Sequence, residues 1–110
     1  MRVFARLRAQ RAFEKRHLPF LQTIVDFDLV VEIGYHAARG KPLALKQLYH
    51  LGIGAVATIE RRLARLKRLG VVEHRRSIED ARHRELTLSE KLRRAFAQYD
   101  ALLHWNGRVR

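Results

Sequence analysis

Residues 55–69 constrain the fold of this chain more than any other segment. Their apolar residues recur at spacings of three, four and three, which places them on one side of an α-helix. These residues are Val56, Ile59, Leu63 and Leu66, and the opposite side carries Ala57, Arg61, Arg65 and Arg68, with Thr58 and Arg62 on its flank. Gly70 follows at the position where a glycine commonly ends a helix. The segment is therefore predicted to be a helix that buries one side in a core and presents arginines on the other.

Weaker patterns on both sides of this helix predict the remaining elements. Amphipathic helices are expected over residues 3–16, from Leu18 to about Ala38 and from Leu43 to Leu51, and Ser89 is expected to cap a last helix. Alternating apolar and polar residues at 71–76 and 84–88 predict two strands of a hairpin with a long, charged tip. The predicted fold is mainly α with a small β-hairpin, in the order α-α-α-α-β-β-α.

The composition excludes several classes of protein. The 110 residues suffice for one domain, and a hydrophobic content of 47% is typical of a packed globule. The absence of cysteine excludes disulfides, thiolate metal sites and cysteine nucleophiles, and is compatible with the reducing cytoplasm, where we expect the protein. The longest stretch without a charged residue has 13 residues, too few to cross a membrane. We therefore expect no membrane partner.

The positive charge is concentrated in one part of the chain. The formal net charge is +12, and residues 39–76 contain ten Lys and Arg against two acids. Such a block is typical of a protein that binds a polyanion, of which nucleic acid is the commonest. Residues 1–17 are also basic and resemble a transit peptide in composition, but Ser and Thr are absent from residues 1–22, which favours an ordered basic helix.

Two sequence patterns resemble a known family. The run from Leu48 to Val72 resembles a helix-turn-helix that leads into a wing through a glycine and two aliphatic residues. Asp80-Ala81-Arg82, followed by Leu86-Thr87-Leu88-Ser89-Glu90, resembles the D-x-R and L-[TS]-E wing signature of MarR-type winged-helix transcription regulators. The resemblance covers about residues 20–104. It implies a winged helix-turn-helix domain at 18–88, between a basic helix at 1–17 that serves as a dimer contact or DNA arm and a C-terminal helix at 89–110 that contacts a dimer partner.

The resemblance also implies a function and a set of DNA contacts. The expected function is a homodimeric, sequence-specific regulator that binds a palindromic operator in double-stranded DNA, with helix 55–69 in the major groove and the wing, 71–88, at the minor groove. Family resemblance also allows a small-molecule effector. The expected base contacts are Ala57, Thr58 and Arg61, and the wing residues in the minor groove are Asp80 and Arg82. The residues assigned to phosphates are Arg62, Arg65, Arg68, Arg75, Arg76 and Arg84.

Less specific interpretations remain open on the sequence alone. The arginines of helix 55–69 could form a solvated surface, and Asp80 with Arg82 could be a local ion pair in a turn. A nucleoid- or RNA-associated structural protein that binds without sequence preference would use the same arginines, and an adaptor for an acidic protein partner is a third possibility.

Catalysis and metal binding have little support in the sequence. No Ser/His/Asp arrangement or glycine-rich phosphate loop can be identified, and none of the six histidines forms a close metal-binding pair. We therefore expect no enzymatic activity, no cofactor and no metal.

Overall fold

The structure, a computed structural model, describes residues 1–77 and 84–108, with side chains as far as Leu102. The helices and strands are α1 (Arg2–His17), α2 (Ile24–Ala38), α3 (Leu45–Tyr49), α4 (Val56–Arg68), β1 (Val72–Arg76), β2 (Arg84–Leu88) and α5 (Glu90–Arg108). This order confirms the predicted mainly helical fold with an antiparallel hairpin. The chain divides into two compact units: Gln22–Ser89, called the central unit below, and the terminal unit, which joins Met1–Leu21 to the segment that begins at Glu90.

Helix α2 begins at Ile24, later than the predicted start near Leu18. The reason is a reciprocal cap, in which the Thr23 hydroxyl accepts a hydrogen bond from the backbone N–H of Asp26 (3.1 Å) and the Asp26 carboxylate accepts one from the backbone N–H of Thr23 (3.2 Å). Later in α2, Gly34 lies where a Cβ atom would be 3.0 Å from Leu88 Cδ1. Glycine at this position therefore allows α2 to pack closely against β2.

Helix α3 is shorter than the predicted span from Leu43 to Leu51. Its start is fixed by Gln47, whose side-chain oxygen accepts a hydrogen bond from the backbone N–H of Ala44 at 2.8 Å. Leu43 lies outside the helix because its carbonyl oxygen accepts a hydrogen bond from the backbone N–H of Leu86, also at 2.8 Å. The sequence pattern could not predict this contact, because it joins residues far apart in the chain.

The core of the central unit forms where α2, α4 and the hairpin contact one another. Ile59, Leu63 and Leu66 of α4 are buried, as the predicted stripe requires. Val56, the first member of that stripe, is 48% exposed, so the prediction that it packs in the core is wrong. The other buried apolar residues of these elements are Leu29, Val30, Ile33, Val72, Leu86 and Leu88.

The hairpin follows α4 after Gly70, whose positive φ of 74° suits a glycine that ends a helix. Its register pairs Val72 with Leu88, His74 with Leu86 and Arg76 with Arg84. Because side chains alternate along a strand, these three pairs share one face of the hairpin. Glu73, Arg75, Glu85 and Thr87 share the other.

In the terminal unit, α1 contacts α5 through its second half. The rings of Phe13 and Tyr99 lie 4.9 Å apart, and the Tyr99 hydroxyl donates a 2.6 Å hydrogen bond to Glu14. Burial and this bond to Glu14 raise the pKa of Tyr99 above its usual range. The first half of α1 leaves Val3, Phe4 and Leu7 exposed.

No helix in the part of the chain described here combines the length and the apolar character that crossing a bilayer demands.

Candidate nucleic-acid interface

Helix α4 presents one side to solvent, and that side carries the residues expected to contact bases. Ala57 and Arg61 are exposed, and Thr58 is half-buried beside them. Ala57 and Arg61 are four residues apart, so they lie on the same face of the helix, and Arg68 is exposed two turns beyond Arg61. This side of α4 therefore presents an exposed methyl group and two exposed guanidinium groups, with the half-buried Thr58 next to Ala57.

Arg62 takes part in an ion pair inside the central unit. Its Nε and Nη2 atoms donate hydrogen bonds to the two carboxylate oxygens of Asp26, at 2.7 and 2.5 Å, and Asp26 is completely buried. Arg65 lies on the same side, with Nη1 3.8 Å from Asp26 Oδ2. The side chains of Arg62 and Arg65 are only 17% and 20% exposed. The predicted phosphate contact of Arg62 would therefore have to replace a bidentate ion pair in which its guanidinium already takes part.

The pKa of Asp26 reflects two opposing effects. Burial is the largest single effect and raises the pKa, but the hydrogen bonds from Arg62, Gln22 and Thr23 and the Arg62 charge together lower it below its ordinary value. The Asp26 hydrogen bond also raises the pKa of Arg62. Both groups are charged at neutral pH, and the pair links α2 to α4.

The apolar pattern of residues 18–38 did not predict a structural role for Asp26. A signal was available, because Thr23-Ile24-Val25-Asp26 has the S/T-x-x-[DE] spacing of a capping box in front of an apolar helix. The ion pair with Arg62, 36 residues away, has no such local signal.

The hairpin presents further basic side chains. Arg75, Arg76 and Arg84 are exposed, and Arg75 Nε lies 3.8 Å from a carboxylate oxygen of Glu85 on the neighbouring strand. On the other face of the hairpin, His74 Nδ1 is 3.2 Å from Lys67 Nζ in the last turn of α4. Burial lowers the pKa of both Lys67 and His74, and the nearby charge of Arg84 lowers both further.

The two residues expected in the minor groove, Asp80 and Arg82, lie outside the described residues. Their roles stay predictions.

Within the described ranges, no group of three or more His, Asp or Glu side chains is arranged to hold a metal ion. The one acid of α4, Glu60, accepts a 3.2 Å hydrogen bond from the Tyr49 hydroxyl of α3.

Solved structures of transcription regulators have a similar fold. A crystal structure of MarR superposes with a TM-score of 0.58 at 21% identity, over 96% of this chain and 74% of that chain. A probable transcriptional regulator from Pseudomonas aeruginosa gives 0.58 at 19% identity, over 96% and 77%. The regulator MarR from Oenococcus oeni PSU-1 gives 0.56 at 16% identity, over 89% and 75%.

Comparison of the sequence alone found no relative of this chain. No family model matches the chain, and no curated protein matches it. The likeness therefore lies in the arrangement of helices and hairpin, and it confirms the fold expected from the wing signature. The chain has the winged-helix fold of the MarR-type transcription regulators.

Proposed function

We propose that this protein is a transcription regulator that binds double-stranded DNA through α4 and the hairpin. The observation that carries the proposal is the exposed side of α4, where Ala57, Arg61 and Arg68 face solvent in a winged-helix fold. A helix with its side chains is about 10–12 Å across, which suits the major groove of B-DNA at about 12 Å. The neighbouring hairpin would then lie along the sugar-phosphate backbone.

The exposed residues of α4 differ in what they can read. Arg61 can donate two hydrogen bonds to the O6 and N7 atoms of guanine, and the Ala57 methyl group can contact the methyl group of thymine. Thr58 can donate to or accept from either kind of base edge. We assign base recognition to these three residues.

The remaining arginines supply affinity without sequence preference. Arg68, Arg75, Arg76 and Arg84 are exposed and suited to phosphates. Arg62 and Arg65 are left out of this set because Asp26 holds the first and lies close to the second. Their proposed role is to hold α4 at a fixed position on α2. Asp80 and Arg82 keep their proposed place at the minor groove.

We further propose that the protein acts as a homodimer on a palindromic operator. The exposed Val3, Phe4 and Leu7 of α1 support this proposal, because a second copy could cover them. Two-fold symmetry would present two α4 helices about 34–36 Å apart, one turn of duplex. A small-molecule effector belongs to the same proposal and is expected to shift DNA affinity.

Selection of bound duplexes from a random pool tests the proposal. The selected duplex should bind about 10³-fold or more tightly than unrelated duplex at physiological salt. Arg61→Ala should relax the preference at one position of each half-site and cost about 1–3 kcal/mol, whereas Arg68→Ala should weaken all duplexes alike. Arg94→Ala on α5 is a matched control, because Arg94 is an exposed arginine outside the proposed interface, with Nη2 3.3 Å from a carboxylate oxygen of Glu90 one turn earlier.

The same experiment separates the proposal from sequence-independent binding. If no duplex is enriched, and if Arg61→Ala and Arg68→Ala lower affinity equally for every sequence, the chain is a non-specific nucleic-acid-binding protein. If no duplex binds at all, the exposed arginines serve another partner.

A further inference from the structure

We propose that Lys67, His74 and Arg84 form an oxyanion site that holds one phosphoryl group of the nucleic-acid backbone. The site lies on the hairpin face that meets the last turn of α4, and it is separate from the base-reading surface of Ala57, Thr58 and Arg61. The assignment of the phosphate to a nucleic-acid backbone rests on the proposed function. The anion site itself is argued from the contacts and charges of its three side chains.

The fold brings the three residues together from three elements. Lys67 belongs to the last turn of α4, His74 to the middle of β1 and Arg84 to the first position of β2. Lys67 Nζ and His74 Nδ1 are 3.2 Å apart, and both side chains are half-buried. Arg84 lies on the same face of the hairpin as His74, because it pairs with Arg76, two residues from His74 on β1. Its charge lowers the pKa of both Lys67 and His74.

The hydrogen-bonding groups of this cluster are donors with no acceptor left over. A lysine ammonium and an arginine guanidinium only donate, so Lys67 donates to the lone pair of His74 Nδ1. His74 is then left with an N–H at Nε2, which is also a donor. A ligand that accepts several hydrogen bonds at once, such as a phosphoryl group, complements this set.

The cluster also has no counter-charge among the described residues. None of the ion pairs found in residues 1–77 and 84–102 joins a carboxylate to Lys67, His74 or Arg84. Glu73 and Glu85 lie on the other face of the hairpin, and Glu60 of α4 is bound by Tyr49. Arg76, which pairs with Arg84 in the register, adds a further positive charge to the same face.

These contacts imply a coupling between phosphate and protons. The groups that face His74 are Lys67 from α4, Arg76 from its own strand and Arg84 from β2, and all are cationic. They disfavour a charged imidazole, whereas a bound oxyanion favours it. Phosphate binding should therefore raise the pKa of His74, and affinity for duplex should increase as pH falls through that range.

Binding to a duplex of arbitrary sequence tests the site directly, because a phosphate contact does not depend on sequence. Lys67→Met should lower affinity several-fold at low salt and reduce the slope of log K against log salt by about one, as expected for one lost phosphate contact. His74→Gln should remove the increase in affinity at low pH. Lys91→Met on α5 removes the same charge from an exposed position and should leave the slope near that of the unchanged protein.

Inorganic phosphate, compared with chloride at equal ionic strength, separates the two sources of the ligand. Phosphate should raise the titration midpoint of the His74 ring, followed by NMR, and raise the melting temperature, and Lys67→Met should abolish both effects. These measurements do not require DNA.

The possible outcomes are distinct. If Lys67→Met and His74→Gln fold normally and bind duplex with an unchanged salt slope, the backbone assignment is overturned, whether or not free phosphate binds. If phosphate also leaves His74 unchanged, the site itself is overturned. If phosphate shifts His74 in a chain that binds no duplex, the site stands and the proposed function fails.

Discussion

Two ionised clusters border the same helix, and they differ in how their charge is balanced. On one side of α4, Arg62 and Arg65 meet Asp26, which is completely buried and also accepts two backbone hydrogen bonds. At the end of α4, Lys67 meets His74 and the charge of Arg84, and none of the described ion pairs supplies an acid to them. The first cluster is satisfied within the fold and stabilises it. The second has no acidic partner among the residues that the structure describes, which makes it the better guide to function.

The largest effect is expected at the balanced cluster. Asp26→Ala should lower the free energy of unfolding by about 3–5 kcal/mol, because it leaves Arg62 half-buried without its counter-charge and removes the carboxylate that accepts the backbone N–H groups of Gln22 and Thr23 at the start of α2. Urea unfolding followed by circular dichroism measures this loss.

A second variant separates the ion pair from the cap in that prediction. Replacing both partners, with Asp26→Asn and Arg62→Met, removes the buried charges together and should cost less than Asp26→Ala alone. A double variant that is less stable than Asp26→Ala would contradict the view that the unpaired guanidinium is the main cost.

The same carboxylate should make the protein sensitive to acid. The pKa of Asp26 is lowered in the folded state, so its contribution to stability is present above the unfolded-state pKa of about 3.9 and is lost as pH falls through the folded-state pKa. Unfolding free energies measured from pH 6 to pH 2 should therefore fall more steeply for the unchanged protein than for the Asp26→Asn, Arg62→Met variant. If the unfolding free energies of the two proteins fall equally with pH, Asp26 does not cause the acid sensitivity.

A smaller pH effect is expected at the unbalanced cluster, with its onset at higher pH. The pKa of His74 is lowered by burial and by Lys67 and Arg84, so the unfolded chain binds a proton more readily than the folded one. Stability should therefore be complete above the unfolded-state pKa of about 6.5 and decrease as pH falls below it. His74→Gln should flatten the curve between pH 7 and pH 5 when phosphate is absent, and an unchanged slope would contradict the prediction.

The smallest effect is expected at the ion pair on the other face of the hairpin, where one of the two partners is exposed. The side chain of Arg75 is 58% exposed and that of Glu85 is 17% exposed, and Arg75 Nε lies 3.8 Å from a carboxylate oxygen of Glu85. Glu85→Gln should change the free energy of unfolding by about 0–1 kcal/mol, since the contact is long and water and salt screen the exposed Arg75 guanidinium. A loss as large as that from Asp26→Ala would show that proximity alone, rather than burial, sets the value of ion pairs in this domain.

The sequence predicted most accurately those elements whose signals are local. The stripe Ile59, Leu63 and Leu66 located α4, and Gly70 located its end, because helix periodicity and helix termination involve neighbouring residues. The same pattern wrongly predicted that Val56 is buried, because periodicity gives the direction of a side chain but not how far the core extends. The exposed positions of Arg61 and Arg68 also agree with the pattern.

The sequence by itself determined the order of helices and hairpin, the concentration of positive charge in the central unit and the side of α4 that carries it. Only the tertiary structure decided which of those charges are used internally: Asp26 binds Arg62 from 36 residues away, and Lys67 meets His74 across the junction of α4 and β1. The physical reason is that secondary structure follows from short-range spacing, whereas the free energy of a charge depends on burial and on partners that only folding brings near.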